Sequence, residues 1–278
     1  MEHEITRASL ALKCADALLI TAGAGVGVDS GLPDFRGTQG FWKAYPPIAK
    51  LGLSFAEMAN PTWFQKDPGL AWAFYGHRLN LYRRTVPHEG IRNLLEWADS
   101  LPAKYFVFTS NVDGQFQKAG CSPERIEECH GSIHLLQCAK PCGQAIWDAG
   151  SIEIEIDEDR FRALPPLPLC PQCGGMARPN ILMFGDWAWN SENTDQQSRR
   201  LTRWLSETVP EVAGKLAVVE LGAGKAVPTV RHMSEHLAHR MKAPLIRINP
   251  RDPEVPDSFD ISLPLGAKEG ILRILAAV

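Results

Sequence analysis

The chain has 278 residues, which at about 150 residues per domain allows one or two domains with a sizeable buried core. Apolar residues make up 45% and charged residues 22%, and 29 basic against 32 acidic side chains leave a net charge of −3. That balance excludes a basic nucleic-acid wrapper and a disordered acidic tail, and no direct nucleic-acid partner is expected. The longest stretch without Asp, Glu, Lys or Arg, Ala163 to Ala177, holds four prolines and two cysteines, and is too short to cross a membrane. The opening MEHEIT is acidic where a signal peptide would be basic, which points to the cytoplasm. In that reducing compartment seven cysteines, an odd number, do not form a disulfide framework.

In chain order, Cys14 lies in an early helical stretch, and Ala17 to Ile20 is a short apolar run that breaks into glycines. A buried strand entering a glycine-rich turn has this pattern. In Gly23-Ala24-Gly25-Val26-Gly27 the backbone N–H groups can approach a pyrophosphate at a helix N-terminus. Alone this is a weak signal, because Val28 stands where GxGxxG requires glycine; a tight turn without a ligand is the alternative. Next come Asp34, Phe35 and Arg36, consecutive in a loop bent by Gly31 and Pro33. Residues 39–86, with their tryptophans, prolines and polar turns, predict short inserted helices.

An amphipathic stretch from Glu89 to Trp97 precedes a second apolar run, Tyr105 to Thr109. Residues 134–178 hold four of the cysteines, a proline-rich stretch and the alternating SIEIEI at 151–156, and predict a small, separately stabilised unit. Helical patterns around 196–208 and 228–241 lead into the runs Leu216 to Leu221 and Leu245 to Ile248. Short apolar runs alternating with amphipathic helices predict an α/β fold with a parallel sheet covered on both faces.

Cys138 and Cys142 are separated by three residues, Cys170 and Cys173 by two, with 27 residues between the pairs. Two close pairs suit a tetrahedral Cys₄ zinc site, one ion per chain, with Pro141, Pro171, Gly143, Gly174 and Gly175 supplying the tight turns. The alternative is four reduced cysteines packed as small hydrophobes. Four thiolates leave no open coordination position, so such a zinc is structural. Cys121 falls in a turn and Cys129 precedes His130; a reactive thiol at Cys129 is a minor alternative to a packed one. His232, His236 and His239 have helical spacing, and a solvated helix face is favoured over metal chelation.

Taken together, the motifs resemble the sirtuins, the NAD-dependent protein deacylases. The glycine loop and Ser30-Gly31-Leu32-Pro33-Asp34-Phe35-Arg36 are similar to GAGxS…SGIPDFR, and Thr109-Ser110-Asn111-Val112-Asp113 to TQNxD. His130-Gly131 resembles HG, the cysteine pairs the zinc module, and Arg178-Pro179 with Phe184-Gly185-Asp186 RPxVVxFGE. Gly222-Ala223-Gly224 stands where the family has GTS, and Ile248-Asn249 matches IN. The matches keep the family's order from about residue 15 to 270.

The resemblance implies a Rossmann-like doubly wound parallel sheet from residues 1–38, 87–133 and 179–278. It implies a small zinc-binding domain made from insertions, a helical one at 39–86 and a zinc module at 134–178. Asn111 and Asp113 would line a nicotinamide pocket, and His130 would be the general base that takes a proton from the ribose hydroxyls. Gly23, Ala24, Gly25, Asp34, Phe35, Arg36, Ser110, Gly222, Ala223, Gly224 and Asn249 would hold NAD. An acyl-lysine protein segment would lie extended beside Phe184-Gly185 and near the 220s. Tyr75 and Arg78 resemble the YxxR pair of sirtuins that prefer acidic acyl groups such as succinyl; packing and a helix-surface charge are the alternative.

The implied activity is protein-lysine deacylation, releasing nicotinamide, O-acyl-ADP-ribose and free lysine. The chain departs from the family at Gly27 for serine, Ser110 for glutamine, Phe116 for histidine, Gly224 for serine and Asp186 for glutamate. The lost ribose and phosphate contacts are expected to weaken NAD binding by about 1–3 kcal/mol each. They keep open an NAD glycohydrolase or protein ADP-ribosyltransferase on the same scaffold, and a non-enzymatic NAD-sensing module.

Overall fold

The computed structural model describes residues 1–34, 37–150, 152–211 and 215–278. The chain opens with helix α1 (Glu2–Lys13), strand β1 (Ala17–Ala22) and a 3₁₀ helix (Ala24–Ser30). Five helices follow: α2 (Gly37–Ala44), α3 (Pro46–Lys50), α4 (Phe55–Met58), α5 (Trp63–Lys66) and the long α6 (Pro68–Arg84). Then come α7 (Glu89–Asp99), β2 (Tyr105–Thr109), α8 (Gln115–Lys118) and β3 (Ile126–Glu128). The middle of the chain is made of short strands, β4 (Gly131–Cys138), β5 (Trp147–Asp148), β6 (Ile156–Asp157), β7 (Arg162–Ala163) and β8 (Ala177–Ile181). The last part has α9 (Glu192–Arg203) continued by a π-helical turn, α10 (Val209–Glu211), β9 (Leu216–Leu221), α11 (Thr229–Met241), β10 (Leu245–Ile248), β11 (Ile261–Leu263) and α12 (Ala267–Ala276). Among the described residues no helix is long and apolar enough to cross a membrane.

Six strands form one parallel sheet in the order β11-β10-β9-β1-β2-β3. The continuous apolar runs follow from burial on both faces. Leu18, Ile20, Val107 and Val219 pack with α1, α7 and α12 on one side. Their neighbours Leu19, Phe106, Phe108 and Val218 pack with Trp204 and α11 on the other. Alternate residues therefore feed different cores, and the polar side chains that β1 and β9 do carry are paired: the Thr21 hydroxyl with Ser234 at 2.8 Å, and the buried Glu220 of β9 with Arg247 of β10. The edge strands β3 and β11 escape sequence reading because they are three residues long, and Ile126-Glu127-Glu128 carries two carboxylates.

The insertions pack around a separate core. Phe41, Tyr45, Phe64, Trp72 and Phe74 from the helices meet Ile133, Leu136, Ile154 and Phe161 from the strands β4 to β8 region. There β5, β4 and β8 make an antiparallel sheet, and β6 and β7 a hairpin. In SIEIEI only Ile156 enters a strand; Ser151 lies outside the described residues.

From β1 the chain moves outward to β2 and β3; from β9 it moves the opposite way, to β10 and β11. The loops leaving the C-terminal ends of β1 and β9 therefore diverge at the switch point where open α/β sheets bind ligands. At their roots these loops touch backbone to backbone. The Gly25 N–H donates to the Gly222 carbonyl at 3.0 Å, and a Cβ on Gly25 would lie 2.7 Å from that oxygen. Gly222 sits at φ +57, and a Cβ there would overlap the Gly25 backbone, whereas a Cβ on Gly224 meets nothing within 4 Å. Gly222→Ala is therefore expected to cost at least about 2 kcal/mol, with Gly224→Ala within about 0.5 kcal/mol of wild type. Denaturant midpoints of the two variants check this.

Candidate active site and metal centre

The turn after β2 is tied to the end of β1. The Thr109 hydroxyl donates to the Ala22 carbonyl (2.9 Å) and accepts from the Asn111 N–H (3.0 Å). The Ser110 N–H reaches the same Ala22 carbonyl (3.2 Å), and Asn111 Nδ2 donates to the Gly23 carbonyl (3.1 Å). Ser110 and Asn111 are thereby fixed, half-buried, against the glycine loop. Asn249 works similarly from β10: Nδ2 donates to the Ala223 carbonyl (2.8 Å), and Oδ1 accepts from the N–H groups of Arg251 and Asp252.

Asp113 is buried, and its Oδ1 accepts from the Gln115 N–H at 2.9 Å. Burial pushes its carboxyl up to about 6, against the Gln115 N–H and the positive Arg78. His134 donates through Nε2 to the Asp113 carbonyl (3.0 Å), its ring lying against Gly114 at φ +70. His130 is half-buried; burial holds its imidazole below the usual value, and the ring hydrogen-bonds the Ser110 backbone. Its place is fixed from both sides, since the Cys129 N–H donates to the Thr109 carbonyl (2.9 Å) and the His130 carbonyl accepts from Leu182 (3.0 Å). Gly23–Gly25, Ser110–Asp113, His130, Gly222–Gly224 and Asn249 thus converge on one end of the sheet.

Helix α6 brings the expected substrate residues to the same place. Arg78 is 7% exposed, donates through Nε to the Tyr82 hydroxyl (3.0 Å), and has Phe74, Tyr82, Tyr75 and Phe55 rings at 5.2 to 6.0 Å. Tyr75 stacks on Phe64, and its buried hydroxyl has no hydrogen-bond partner among the described residues. The alternative of a surface charge at Arg78 is excluded by that burial. The C-terminal end of α6 is clasped by two residues the sequence reading missed. Lys118 Nζ donates to the carbonyls of Tyr82 (3.0 Å), Arg83 (2.6 Å) and Thr85 (2.7 Å), and Gln115 Nε2 donates to that of Tyr82 (3.2 Å).

Phe184 is 44% exposed, yet its backbone is engaged: the N–H donates to the Ala59 carbonyl (2.9 Å) and the carbonyl accepts from Asn60 Nδ2 (3.0 Å). Gly185 follows at φ +68. Asp186 forms a bidentate pair with Arg178 (2.7 and 2.9 Å), both side chains fully buried. Asp34 faces Arg251 at 3.5 Å. Phe35 and Arg36 lie outside the described residues.

Some departures from the family motifs have local reasons. A Cβ on Gly27 would lie 3.1 Å from Leu32, so a serine would crowd that side chain. Phe116 is 2% exposed and packs in the core beneath the sheet. Nothing in the structure explains the glycine at 224. The glycine loops also need correction as anion cradles: the N–H groups of Gly23 and Gly25 are already donated, to Leu221 and Gly222.

The four cysteine sulfurs lie within 4.8 Å of one another, with Cys138–Cys173 and Cys142–Cys170 each at 3.6 Å. Zinc–sulfur bonds of about 2.3 Å give a tetrahedron with edges of about 3.8 Å, so the cluster fits one zinc. The N–H groups of Cys173 and Gln172 outweigh burial and bring the Cys170 thiol down to about 7. Cys138 ends β4, whose first residue follows His130. The metal site is thus roughly 20 Å from the imidazole and has no access to its chemistry. Burial pushes the Cys129 and Cys121 thiols up to about 12, which favours a packed thiol over a reactive one at Cys129. His232, His236 and His239 are exposed on α11.

A family model described as "Sir2 family" matches residues 23–202. The NAD-dependent protein deacylase of Aquifex aeolicus is 28% identical over 261 residues, 92% of this chain and 93% of that protein. NAD-dependent protein deacylase 1 of Archaeoglobus fulgidus is 30% identical over 246 residues, 88% and 86% of the two chains. Among solved structures, a Sir2 homologue in complex with NAD superposes with a TM-score of 0.70 at 24% identity, covering 100% of this chain and 93% of the other. A mutant Sir2 homologue with ADP-ribose gives 0.67 at 26%, covering 96% and 94%.

Elemental analysis of the purified chain is expected to give one zinc per molecule, and Cys170→Ser is expected to release it and open the β4–β8 region to proteolysis. Asp113 gives a second prediction. Its folded-state carboxyl titrates above its unfolded one, so its contribution to stability is present below about pH 4 and is lost as the pH rises through about 6. The loss approaches about 3 kcal/mol. Asp113→Asn is therefore expected to be more stable than wild type at about pH 8, with the difference shrinking toward about pH 4, as denaturant midpoints measure.

Proposed function

The chain belongs to the Sir2 family, and on that premise we propose that it is an NAD-dependent protein-lysine deacylase. The observation that carries this reading is the convergence of a neutral, half-buried His130 with Asn111 and Asp113 beside two glycine loops at the switch point of the sheet. NAD, when bound, supplies the glycosidic carbon from which nicotinamide departs.

Ser110, Asn111, Gly222–Gly224 and Asn249 border the space NAD would take, with Asp34 beside it. Asn111 keeps a carbonyl oxygen able to accept from the carboxamide of the leaving group, and Asp113 faces the ribose side. His130 accepts a proton from a ribose hydroxyl once the acyl oxygen has attacked. Its depressed pKa keeps it in the neutral, accepting form at pH 7. Protonation on acidification abolishes that role, so the rate falls as the pH drops below the usual imidazole range. The acylated segment lies along the residues beyond Gly185, since the Phe184 backbone is already paired. The zinc, held by Cys138, Cys142, Cys170 and Cys173, keeps the small unit folded.

The shared core of 39–86 with 134–178 supports one small domain built from two insertions, set on a large domain from 1–38, 87–133 and 179–278. For the acyl group, the buried Arg78 charge and the Tyr75 hydroxyl, which has no hydrogen-bond partner among the described residues, support a preference for acidic acyl chains such as succinyl.

Nicotinamide release from NAD is expected to require an acetyl- or succinyl-lysine peptide and to fall at least about 100-fold in His130→Ala. Release without peptide would instead establish a glycohydrolase, and transfer of ADP-ribose to protein the transferase. Arg78→Met is expected to lower kcat/KM for the succinyl peptide at least about tenfold more than for the acetyl peptide; an unchanged ratio removes the acidic-acyl reading.

A further inference from the structure

Helix α6 has two working faces. Tyr75, Arg78 and Tyr82, at spacings of three and four, turn toward Asp113, while His77, Asn80 and Arg84, with the same spacings, turn the other way. The second face lines an open cavity of about 310 Å³, bordered by Ala44, Tyr45 and Pro47 of the α2–α3 corner and by the β6–β7 hairpin. Ile154, Ile156 and Phe161 supply its apolar wall, and Glu158 from the hairpin and Arg84 from α6 both line it.

The lining has a definite hydrogen-bonding and charge pattern. The Tyr45 hydroxyl and His77 Nδ1 are bonded at 3.1 Å, which leaves Nε2 as the free ring nitrogen of His77. Burial holds His77 below its usual value, so it contributes a hydrogen bond and no charge at pH 7. Asn80 spends Nδ2 on the Ile154 carbonyl (3.0 Å) and keeps its oxygen. Among the described residues Arg84 and Glu158 are the charged side chains that line it, and both act on His77, as Arg78 does from the other face of the helix. A volume at the lower end of the range for ligand pockets suits one small molecule. A cation and an anion across an apolar wall match a ligand with a carboxylate, an ammonium and an apolar body.

We propose that this cavity is a binding site for a free α-amino acid with an apolar side chain, its carboxylate on Arg84 and its ammonium on Glu158. The site is separate from the deacylase centre, because the catalytic face of α6 points away from it.

Calorimetric titration of the full chain with L-phenylalanine, without NAD or peptide, tests the proposal independently of the deacylase reading. Saturable one-to-one binding is expected. It should weaken at least tenfold for 3-phenylpropionate, which lacks the ammonium, and for phenethylamine, which lacks the carboxylate. The same loss is expected in Arg84→Ala and Glu158→Gln, both exposed positions whose thermal midpoints should stay at the wild-type value. No saturation with either L-phenylalanine or L-leucine overturns the proposal, as does binding unchanged in both variants.

Discussion

The structure depends on the close approach of two backbones. Where the strand order reverses, the loop after β1 and the loop after β9 meet at Gly25 and Gly222, joined by a 3.0 Å hydrogen bond with no room for a Cβ on either side. The contact determines how far apart the sheet can hold the two loops that diverge above it, and hence the width of the crevice. It also presents the Gly23 carbonyl to Asn111 and the Ala223 carbonyl to Asn249, so that the polar turns after β2 and β10 are registered against the same pair of loops. The glycines here serve packing first, and the site inherits its geometry from that packing.

A second link joins the turn after β2 to the small unit. The segment from Asp113 to Lys118 holds the last carbonyls of α6 through Gln115 and Lys118, satisfying acceptors that a helix end otherwise leaves to water. Because α6 carries Arg78, the clasp also sets the distance between a buried cation and a buried carboxylate. Arg78 moderates the cost of ionising Asp113 without removing it, and the carboxyl remains raised to about 6. The stability given up there belongs to a residue held at the mouth of the crevice, a usual place for such strain.

The cysteine cluster contributes at a distance. It closes β4 and β8, and the same two strands lead back to His130 and to the Phe184–Gly185 segment. The buried Arg178–Asp186 pair then fixes the loop that follows, through the Met183 and Ala188 N–H groups. A metal that touches no substrate thus steadies two walls of the crevice.

The sequence alone determined the fold class, the four central strands, the pairing-up of the four cysteines and the residues of the converging turns. Each leaves a local signature: strands buried on both faces are unbroken apolar runs, and ligands to one ion come in close pairs. Two edge strands were silent because three residues carry no periodicity, and Glu127 and Glu128 look solvent-facing until Gln197 and Thr194 of α9 close over them. Lys118, His134 and Asn60 were silent for another reason. Their partners are backbone carbonyls of residues distant in the chain, and a carbonyl has no letter in a sequence. Only the tertiary structure could decide that Gly23 and Gly25 spend their N–H groups on a neighbouring loop, or that Arg78 lies within an aromatic box facing Asp113. Both outcomes depend on which segments meet in space, and burial and hydrogen-bond satisfaction are settled only there.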